Sequence, residues 1–525
     1  MQLTLSIPRS VTVTVCLVWL GVSTSLSDVL PRAEPLDSCF LDVPAEIHLT
    51  GGADCGYVVV PQSRAGGGEG EVRVAYMRLK ARTSTRAAPL FMLAGGPGRA
   101  MTGDPAILLL FQDSLLGPLL DRRDVVFMEQ RGTMRSRPYL DCPGFWGAQR
   151  EAVERSLDEA AGFALLRRQL LDCVARHAEE GVSLAAYNNI ENAADVNDVR
   201  AALGYQHIVY YGASYGTKLG QHVMRDFPGV LEAVVLDGTG ALSDTDWSAG
   251  QARNAKWGID NLVRLCSEDA GCTANYDIRA LLDAAFALFD AGPIASTLST
   301  PEVPQSNLNL KFTAEEFAGY LHSLQTSKYG VMVLPSLLNA YAAGGRARVA
   351  ADMVAYMGAQ LHADPKVQDA DMTILMHLAM ICSDDPPRSF EDIEAMGFGR
   401  YEALFARSSA RLYVEMCRVL DLPELPASVD APVETNVPVL VLSGGLDVQT
   451  PYFISQGVAD SLPNATHVIF PAGFHVQVMN VNPCAIQIAR NFVENPLAPL
   501  DLSCVTATSP LSFLTPDFTV PEPRE

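Results

Sequence analysis

The most informative segment of the chain is His207-Ile208-Val209-Tyr210-Tyr211-Gly212-Ala213-Ser214-Tyr215-Gly216. Its first half is an apolar run typical of a buried strand, and residues 217–226 after it have a helical pattern. Small residues two positions before and after Ser214 let strand and helix approach closely, while the sharp turn between them exposes the serine hydroxyl. We interpret the segment as a nucleophile elbow with Ser214 as the nucleophile. A glycine-flanked loop serine is the alternative, because G-x-S-x-G alone is a weak pattern.

An elbow serine requires two partners further along the chain. The hydroxyl is a poor nucleophile until a histidine takes its proton, and a carboxylate must hold that imidazole in the correct tautomer. In the α/β-hydrolase order, the acid follows the seventh strand and the histidine follows the eighth. The apolar run Pro438–Ser443 predicts the seventh strand and leads to Asp447; Thr466–Phe470 predicts the eighth and leads to His475. We therefore predict Asp447 as the acid and His475 as the base.

Other residues compete for these two positions. Asp237 ends the strand-like run Ala233–Leu236, and an acid after the sixth strand is the open alternative to Asp447. His467 lies inside a strand pattern, where a histidine is more often a packed structural residue. The other histidines precede Asp447 and fit the order badly; they are His48, His177, His207, His222, His322, His362 and His377. The chain has neither H-E-x-x-H nor paired C-x-x-C motifs, so we predict a site without metal or cofactor.

A tetrahedral intermediate also requires two backbone N–H groups directed at its oxyanion. Tyr215, directly after the nucleophile, is expected to supply one of them. The second is expected from a glycine-rich loop after an early strand, and Ala94-Gly95-Gly96-Pro97-Gly98 follows the strand-like run Pro89–Leu93. Alone this loop would be an ordinary turn. Ahead of an elbow, where glycine lets the main chain approach the reacting carbon, it predicts Gly96 as the second donor.

Taken together, these motifs resemble secreted α/β-hydrolase peptidases related to proline iminopeptidase and the tripeptidyl aminopeptidases, whose C-terminal region is called TAP-like. The resemblance runs from Cys55 to Cys504. It rests on Gly95-Gly96-Pro97-Gly98, Asp124-Val125-Val126-Phe127 with Gln130-Arg131-Gly132-Thr133, Gly212-Ala213-Ser214-Tyr215-Gly216-Thr217, Cys382-Ser383-Asp384-Asp385, and Gly445-Leu446-Asp447 with Thr450-Pro451. Ala94, Glu129 and Met134 depart from the usual family residues. They flank the predicted triad, so they bear on substrate preference more than on catalysis.

The resemblance implies an α/β fold with a mostly parallel central sheet, helices on both faces and a large helical cap inserted between strands six and seven. It also implies a peptide substrate with a free N terminus, whose ammonium is bound by acidic cap residues. The candidates for that role are Asp384 and Asp385. Their alternative role is structural, at the end of a helix before the turn into Pro386-Pro387.

The length of 525 residues leaves room for such an insertion, since the catalytic sheet needs about 250 to 300 residues. Repeated helical patterns, interrupted by breaks with proline and glycine, occur at Phe312–Leu324, Val331–Ala343 and Met372–Cys382. We predict a signal peptide at 1–27, the first part of the hydrolase core at 28–242, the helical cap at 243–434, the TAP-like part of the core at 435–505 and an extended tail at 506–525. An independent helical domain is the alternative for 243–434.

The N-terminal residues indicate export. Arg9 precedes the apolar run Val11–Leu20, which is too short for a comfortable transmembrane helix and is followed by small polar residues. We predict a cleaved secretory signal and a secreted or periplasmic protein, with an uncleaved membrane anchor as the alternative.

The cysteines agree with export. Ten of the eleven remain once Cys16 is lost with the signal, an even number suited to an oxidising compartment. Connectivity does not follow from sequence, but neighbours along the chain give convenient pairs. These are Cys39 with Cys55, Cys142 with Cys173, Cys266 with Cys272, Cys382 with Cys417, and Cys484 with Cys504. None has an elbow or base of its own, so we predict structural bridges.

The formal net charge of −22 argues against nucleic acid and anionic membrane as partners, and we predict no stable membrane association after signal removal. Acidity favours solubility, and a negative potential near the site would also attract a substrate ammonium. The oligomeric state stays open.

The predicted reaction is acyl transfer to Ser214 in an exported hydrolase, of the prolyl or tripeptidyl aminopeptidase type that the resemblance implies. A carboxylic-ester hydrolase is the first alternative, because the same groups cleave esters and the fold does not decide function. A catalytically silent binding protein that kept the fold is the second, and covalent labelling by a fluorophosphonate would exclude it.

Overall fold

The computed structural model describes residues 31–65, 70–83, 87–298, 308–361, 363–387, 396–506 and 511–516. The predicted signal peptide at 1–27 and most of the predicted tail at 506–525 lie outside these residues. Among the described helices, none is long and apolar enough to cross a membrane.

The centre of the molecule is a nine-stranded sheet with the order β1-β2-β3-β5-β4-β6-β7-β10-β11. Pairing is antiparallel from β1 to β5 and parallel from β5 to β11. The sheet strands are β1 (Arg32–Pro35), β2 (Ala53–Pro61), β3 (Glu71–Leu79), β4 (Leu90–Leu93), β5 (Val125–Met128), β6 (Ile208–Ala213), β7 (Leu231–Asp237), β10 (Val439–Gly444) and β11 (Ala465–Phe470). The sixth, seventh and eighth strands of the sequence prediction are therefore β7, β10 and β11.

The parallel strands are apolar because both of their faces are covered. Successive side chains point to opposite faces, so Tyr210 packs into one core and Val209 and Tyr211 into the other. The described helices are α1 (Pro143–Glu154), α2 (Glu159–Glu179), α3 (Asn189–Ala202), α4 (Tyr215–Asp226), α5 (Trp247–Glu268), α6 (Ala270–Asn275), α7 (Ile278–Ala287), α8 (Ala314–Leu324), α9 (Lys328–Leu361), α10 (Pro365–Asp371), α11 (Ile374–Asp384), α12 (Arg400–Leu420), α13 (Tyr452–Asp460), α14 (Pro483–Glu494) and α15 (Ser503–Thr506). Helices α1–α4 contribute to the first core, and α14 contributes to the second. Short 3-10 helices lie at Pro105–Phe111, Gly117–Asp121, Leu184–Ala186, Pro228–Val230 and Ala427–Asp430.

The chain between β7 and β10 is mainly helical and carries a separate core of its own. It contains α5–α12 among its described residues, and α9 runs past the predicted helix end and is broken by a kink at Gly345. The segment also contains a feature that the sequence analysis did not predict, the antiparallel hairpin β8 (Ile294–Leu298) and β9 (Leu308–Phe312). The hairpin places alternate apolar side chains in the helical core and the intervening ones in solvent. The domain boundaries themselves remain a prediction.

Disulfides join the same cysteine pairs that neighbour along the chain. They are Cys39–Cys55, Cys142–Cys173, Cys266–Cys272, Cys382–Cys417 and Cys484–Cys504. The Cys382–Cys417 bond connects α11 to α12, two helices that also line the cavity described below.

Candidate active site

Ser214 lies in the turn between β6 and α4, with the unusual backbone angles φ 54° and ψ −122°. Such strained angles in a residue other than glycine are typical of functional sites. The turn is possible because its neighbours are glycines. A Cβ atom on Gly212 would lie 2.2 Å from the carbonyl oxygen of Gly216, and one on Gly216 would lie 2.9 Å from the carbonyl oxygen of Ala94. Strand, helix and glycine loop therefore meet at backbone contact around Ser214.

Asp447 and His475 form a hydrogen-bonded pair at the ends of β10 and β11. Nδ1 of His475 lies 2.8 Å from Oδ2 of Asp447 and 3.1 Å from the hydroxyl oxygen of Thr450. The Thr450 hydroxyl donates to Asp447 Oδ2 at 2.8 Å, and the backbone N–H groups of Gln449 and Thr450 donate to Asp447 Oδ1. Because a carboxylate only accepts, the hydrogen on the neutral imidazole is on Nδ1. Nε2 is then the basic nitrogen.

The surroundings of His475 tune its basicity and leave Nε2 available. Nε2 is buried and has no hydrogen-bond partner among the described residues. Burial works to lower the pKa of His475, but the charge and hydrogen bond of Asp447 outweigh it and raise the pKa above its ordinary value. Gly238 leaves room for the ring, since a Cβ atom there would lie 3.1 Å from its Cε1.

Asp237, the alternative acid, has different partners. Its carboxylate accepts hydrogen bonds from the backbone N–H groups of Gln477 and Val478, both at 2.7 Å, and from the Tyr211 hydroxyl at 2.8 Å. Burial raises the pKa of Asp237 to about 6, against these hydrogen bonds. The carboxylate thus anchors the segment directly after His475, while Asp447 contacts the imidazole itself.

The glycine loop packs directly against the turn that carries Ser214. Gly95 packs against Ser214, since a Cβ atom on Gly95 would lie 2.7 Å from Cβ of Ser214. The Gln130 amide donates to the carbonyl oxygens of Ala94 and Gly95, each at 3.1 Å. In a trans peptide the N–H points opposite to the C=O, so fixing the Gly95 carbonyl also fixes the direction of the Gly96 N–H.

Tyr215 is the first residue of α4, where a backbone N–H has no partner within its own helix. Its side chain points to a polar network instead. The phenol donates to Oδ1 of Asn189, and the amide of Asn189 donates to Oδ2 of Asp384. Tyr215 is thereby linked through Asn189 to the end of α11.

Glu129 is one of the departures from the family motif, and the structure shows what its carboxylate holds. It is buried and accepts from the backbone N–H groups of Met101 and Thr102, at 3.0 and 2.8 Å, and from the Thr102 and Thr133 hydroxyls. It therefore anchors the chain directly after the glycine loop.

A cavity of about 450 Å³ opens beside Ser214, Gly96 and Tyr215. Its aromatic and aliphatic lining comes from Phe145, Trp146, Trp247, Ile374, Leu412 and Tyr413. Its charged lining comes from Lys218, Asp244, Asp246, Arg253 and Asp385. The site is thus a partly open, largely apolar cavity with charged side chains in its wall.

The two aspartates predicted to bind an ammonium have different positions. Asp385 lies in the cavity wall, where its Oδ2 accepts from the Lys218 ammonium at 2.5 Å. Asp384 is the last residue of α11 and contacts Asn189. Each keeps one buried carboxylate oxygen, Oδ1, without a partner among the described residues. Burial raises the pKa of both carboxyl groups, and Lys218 acts in the opposite direction.

The sequence did not indicate several of these residues as part of the site. Lys218 is one turn beyond Ser214 on α4, yet no local motif marks it. His377 was set aside because it precedes the acid in the chain, but its ring touches the glycine loop, with Nδ1 2.9 Å from the carbonyl oxygen of Pro97. His467 bonds Gln456 and Ser443, as expected for a packed structural residue.

Comparisons with known proteins agree with the resemblance predicted from the motifs. Residues 88–274 match the family model of the alpha/beta hydrolase fold, and residues 402–504 match that of the TAP-like protein. Serine protease Hip1 of Mycobacterium tuberculosis is 29% identical over 251 residues, 47% of each chain. Tripeptidyl aminopeptidase of Streptomyces coelicolor is 30% identical over 202 residues, 37% of each chain. The chain spans about half or less of the length of these relatives.

Among solved structures, proline iminopeptidase from Mycobacterium smegmatis is similar at 14% identity with a TM-score of 0.40, over 83% of this chain and 97% of that one. The strand order and the two family models show that the chain has the α/β-hydrolase fold with a TAP-like C-terminal region.

Proposed function

We propose that this chain is a serine hydrolase that cleaves peptides by acyl transfer through Ser214, His475 and Asp447. The observation that carries the proposal is the His475–Asp447 pair, whose free Nε2 is buried at the same sheet edge as an elbow serine. Relatives named serine protease and tripeptidyl aminopeptidase support a peptide substrate.

The residues have the following roles in this proposal. Ser214 Oγ attacks the substrate carbonyl carbon while its proton passes to Nε2 of His475. The negative charge that develops on the carbonyl oxygen is stabilised by the N–H groups of Gly96 and Tyr215. The protonated imidazole, stabilised by Asp447, gives its proton to the leaving amine. A water molecule, deprotonated by His475, then hydrolyses the acyl-serine and restores the free hydroxyl.

A test of this assignment is Ser214→Ala, with Ser409→Ala as the matched control, because Ser409 lines the same cavity. We expect Ser214→Ala to lose turnover on the order of a million-fold and to fold normally, since the elbow hydroxyl contributes chemistry and little packing. A fluorophosphonate should modify Ser214 in the wild-type protein and in Ser409→Ala, as mapped by mass spectrometry. Turnover retained by Ser214→Ala would place the nucleophile elsewhere.

We further propose that the substrate has a free N terminus whose ammonium binds beside Asp385 and Asp384. A desolvated cation is tolerated only next to acceptors, and each carboxyl group has an unpartnered buried oxygen. Lys218 forms an ion pair with Asp385, and Asp384 places a second carboxyl group close to Lys218. The removal of single residues, dipeptides or tripeptides fits this binding mode equally well.

The amine site is tested best with Asp384→Asn, because this change leaves the Lys218–Asp385 pair intact. We expect the kcat/KM of a free-amine peptide substrate to fall. The loss should correspond to about 2 kcal/mol or more of transition-state stabilisation, the usual scale for losing one partner of a buried charge pair. The same peptide with an acetylated N terminus and a small neutral ester are the controls, and neither should change. Equal losses on all three substrates would assign Asp384 a structural role and favour the ester-hydrolase alternative.

We propose export as well, with the five disulfides as support, because such bonds persist in oxidising compartments. N-terminal sequencing of the mature protein tests the predicted cleavage near residue 27.

A further inference from the structure

The chain between β7 and β10 contacts the glycine loop directly. The backbone N–H of Thr373 donates to the carbonyl oxygen of Gly98 at 3.0 Å, and Met372 and Arg99 form an isolated β-bridge. One turn into α11, His377 reaches the carbonyl oxygen of Pro97. Three consecutive residues of the glycine loop, Pro97 to Arg99, are therefore in contact with the first turn of α11 or with the two residues that precede it.

The hydrogen bonds of His377 have only one possible direction. The Pro97 carbonyl can only accept, so Nδ1 of His377 carries the hydrogen, and Nε2, at 2.9 Å from the Tyr413 hydroxyl, must accept from it. The ring of Trp247 packs edge-on against the rings of both Tyr413 and His377. Donation therefore runs from Tyr413 to His377 and from His377 to Pro97.

The chain of hydrogen bonds is held rigidly and stays neutral. The rings of Trp247, His377 and Tyr413 are in mutual contact, with centroids 5.8 to 5.9 Å apart. Burial lowers the pKa of His377 to about 4, so the imidazole is uncharged at neutral pH and its tautomer is the one given above. Packing and hydrogen bonding thus specify a single arrangement.

The hydrogen bonds of His377 link the wall of the substrate cavity to the loop that carries Gly96. Trp247 and Tyr413 line the substrate cavity, together with Ser214 and Gly96. Pro97 follows Gly96, the expected oxyanion donor. On the other side of the loop, Gln130 fixes the carbonyl of Gly95. The backbone is therefore fixed on both sides of Gly96. Gln130 holds the carbonyl of Gly95, and His377 of α11 holds the carbonyl of Pro97.

We propose that His377 is a positioning residue for the oxyanion loop and that, through Tyr413 and Trp247, it couples the wall of the substrate cavity to the placement of the Gly96 N–H. This inference rests on the proposed function. A substrate packed against Trp247 and Tyr413 stabilises the arrangement in which the Pro97 carbonyl is held. The segment that covers the site then takes part in assembling the oxyanion hole.

The experiment measures the rate of fluorophosphonate labelling of Ser214 and the kcat and KM of an amide substrate. We expect His377→Phe to slow labelling and to lower kcat by about 10- to 100-fold, below the 10²- to 10³-fold loss on removing an oxyanion donor outright. KM should stay within about threefold, because phenylalanine keeps an aromatic ring at the place where His377 lines the cavity. His377→Asn should recover most of the rate, since its amide N–H can donate from the place of Nδ1.

The coupling is tested by a double-mutant cycle. Tyr413→Phe removes the donor to Nε2 and should lower kcat in the wild-type background but add no further loss in His377→Asn, where Nε2 is already absent. Additive losses would show that Tyr413 acts independently of His377 and would overturn the coupling.

A matched control separates positioning from loss of stability. His322 is also a buried histidine of the segment between β7 and β10, its pKa is likewise lowered to about 4, and its ring stacks on Phe405 away from the glycine loop. His322→Asn should reduce the midpoint of thermal unfolding and leave the labelling rate of the folded protein unchanged. If His377→Phe labels at the wild-type rate, or if His322→Asn slows labelling equally, the inference is wrong. If wild-type Ser214 is not labelled at all, the proposed function fails and the inference falls with it.

Discussion

Asp447 and Asp237 end neighbouring parallel strands, yet their carboxyl groups have different partners. Asp447 bonds the imidazole of His475, whereas Asp237 bonds two backbone N–H groups of the following segment. We expect Asp447→Asn to lower kcat by about 10⁴-fold, the scale known for a triad aspartate, because the amide favours the wrong tautomer of histidine. Asp237→Asn should lose less in kcat and more in the midpoint of thermal unfolding. The opposite ranking of the two kcat values would move the acid to β7.

The raised pKa of His475 predicts the pH dependence. A general base must be unprotonated, so kcat/KM should fall as the pH drops through the pKa of the free enzyme's histidine. Because Asp447 raises that pKa, the midpoint of the acidic limb should lie above 6.5, the ordinary value for histidine. The charge of Asp237 acts in the same direction, so Asp237→Asn should move the limb to lower pH. An acidic limb below 6.5 in the wild-type protein would contradict this reading of the pair.

Residues whose partners lie nearby in a motif could be predicted from sequence, and those with distant partners could not. Ser214, Asp447 and His475 each lie shortly after an apolar strand pattern, and the place where that pattern stops predicts their position. His377 reaches a carbonyl 280 positions away, and Lys218 reaches a carboxylate 167 positions away. Only the folded sheet and the helices above it bring these groups together, so no local pattern predicts them.

At the scale of elements, sequence prediction succeeded where burial dictates composition. Strands β4, β6 and β10 are covered on both faces and consist almost wholly of apolar residues, which makes them recognisable. Strand β1 reads Arg-Ala-Glu-Pro, lies at the sheet edge and is held partly by the ion pair of Arg32 with Glu71. Its composition carries no strand signal, so only its pairing with β2 reveals it.

Helices α11 and α12 carry His377 and Tyr413, and the Cys382–Cys417 bond joins them. This bond spans 35 residues, whereas Cys266–Cys272 spans 6. In the chain-entropy model the longer loop is worth about 4 kcal/mol and the shorter about 2 kcal/mol. Replacing both cysteines by alanine in each pair, followed by urea unfolding, should therefore show the larger loss for the 382–417 pair. That variant should also lose kcat, because the hydrogen bond from Tyr413 to His377 loosens. Equal destabilisation would show that native-state strain dominates over loop entropy.

At the scale of the whole molecule, the net charge of −22 sets the long-range field that a substrate meets. The attraction of a substrate by the whole surface adds to its attraction by the local charges in the cavity wall. Dissolved salt screens the long-range attraction but has little effect on direct contacts. The Debye length falls from about 30 Å at 0.01 M to about 3 Å at 1 M ionic strength. Long-range attraction is therefore separable from contact with Asp384 and Asp385.

We expect the kcat/KM of a peptide with a free N-terminal ammonium to fall about tenfold between these ionic strengths, because the acidic surface raises the local concentration of a cation. The same peptide with an acetylated N terminus lacks the charge, so its kcat/KM should stay nearly constant and controls for salt effects on the protein itself. In Asp384→Asn the kcat/KM of the free-amine substrate should be lower at every ionic strength but should keep most of its salt dependence. One side chain changes little in a field made by the whole surface. A parallel decline of the acetylated and free peptides would mean that the surface charge serves solubility alone and that the ammonium is recognised only on contact.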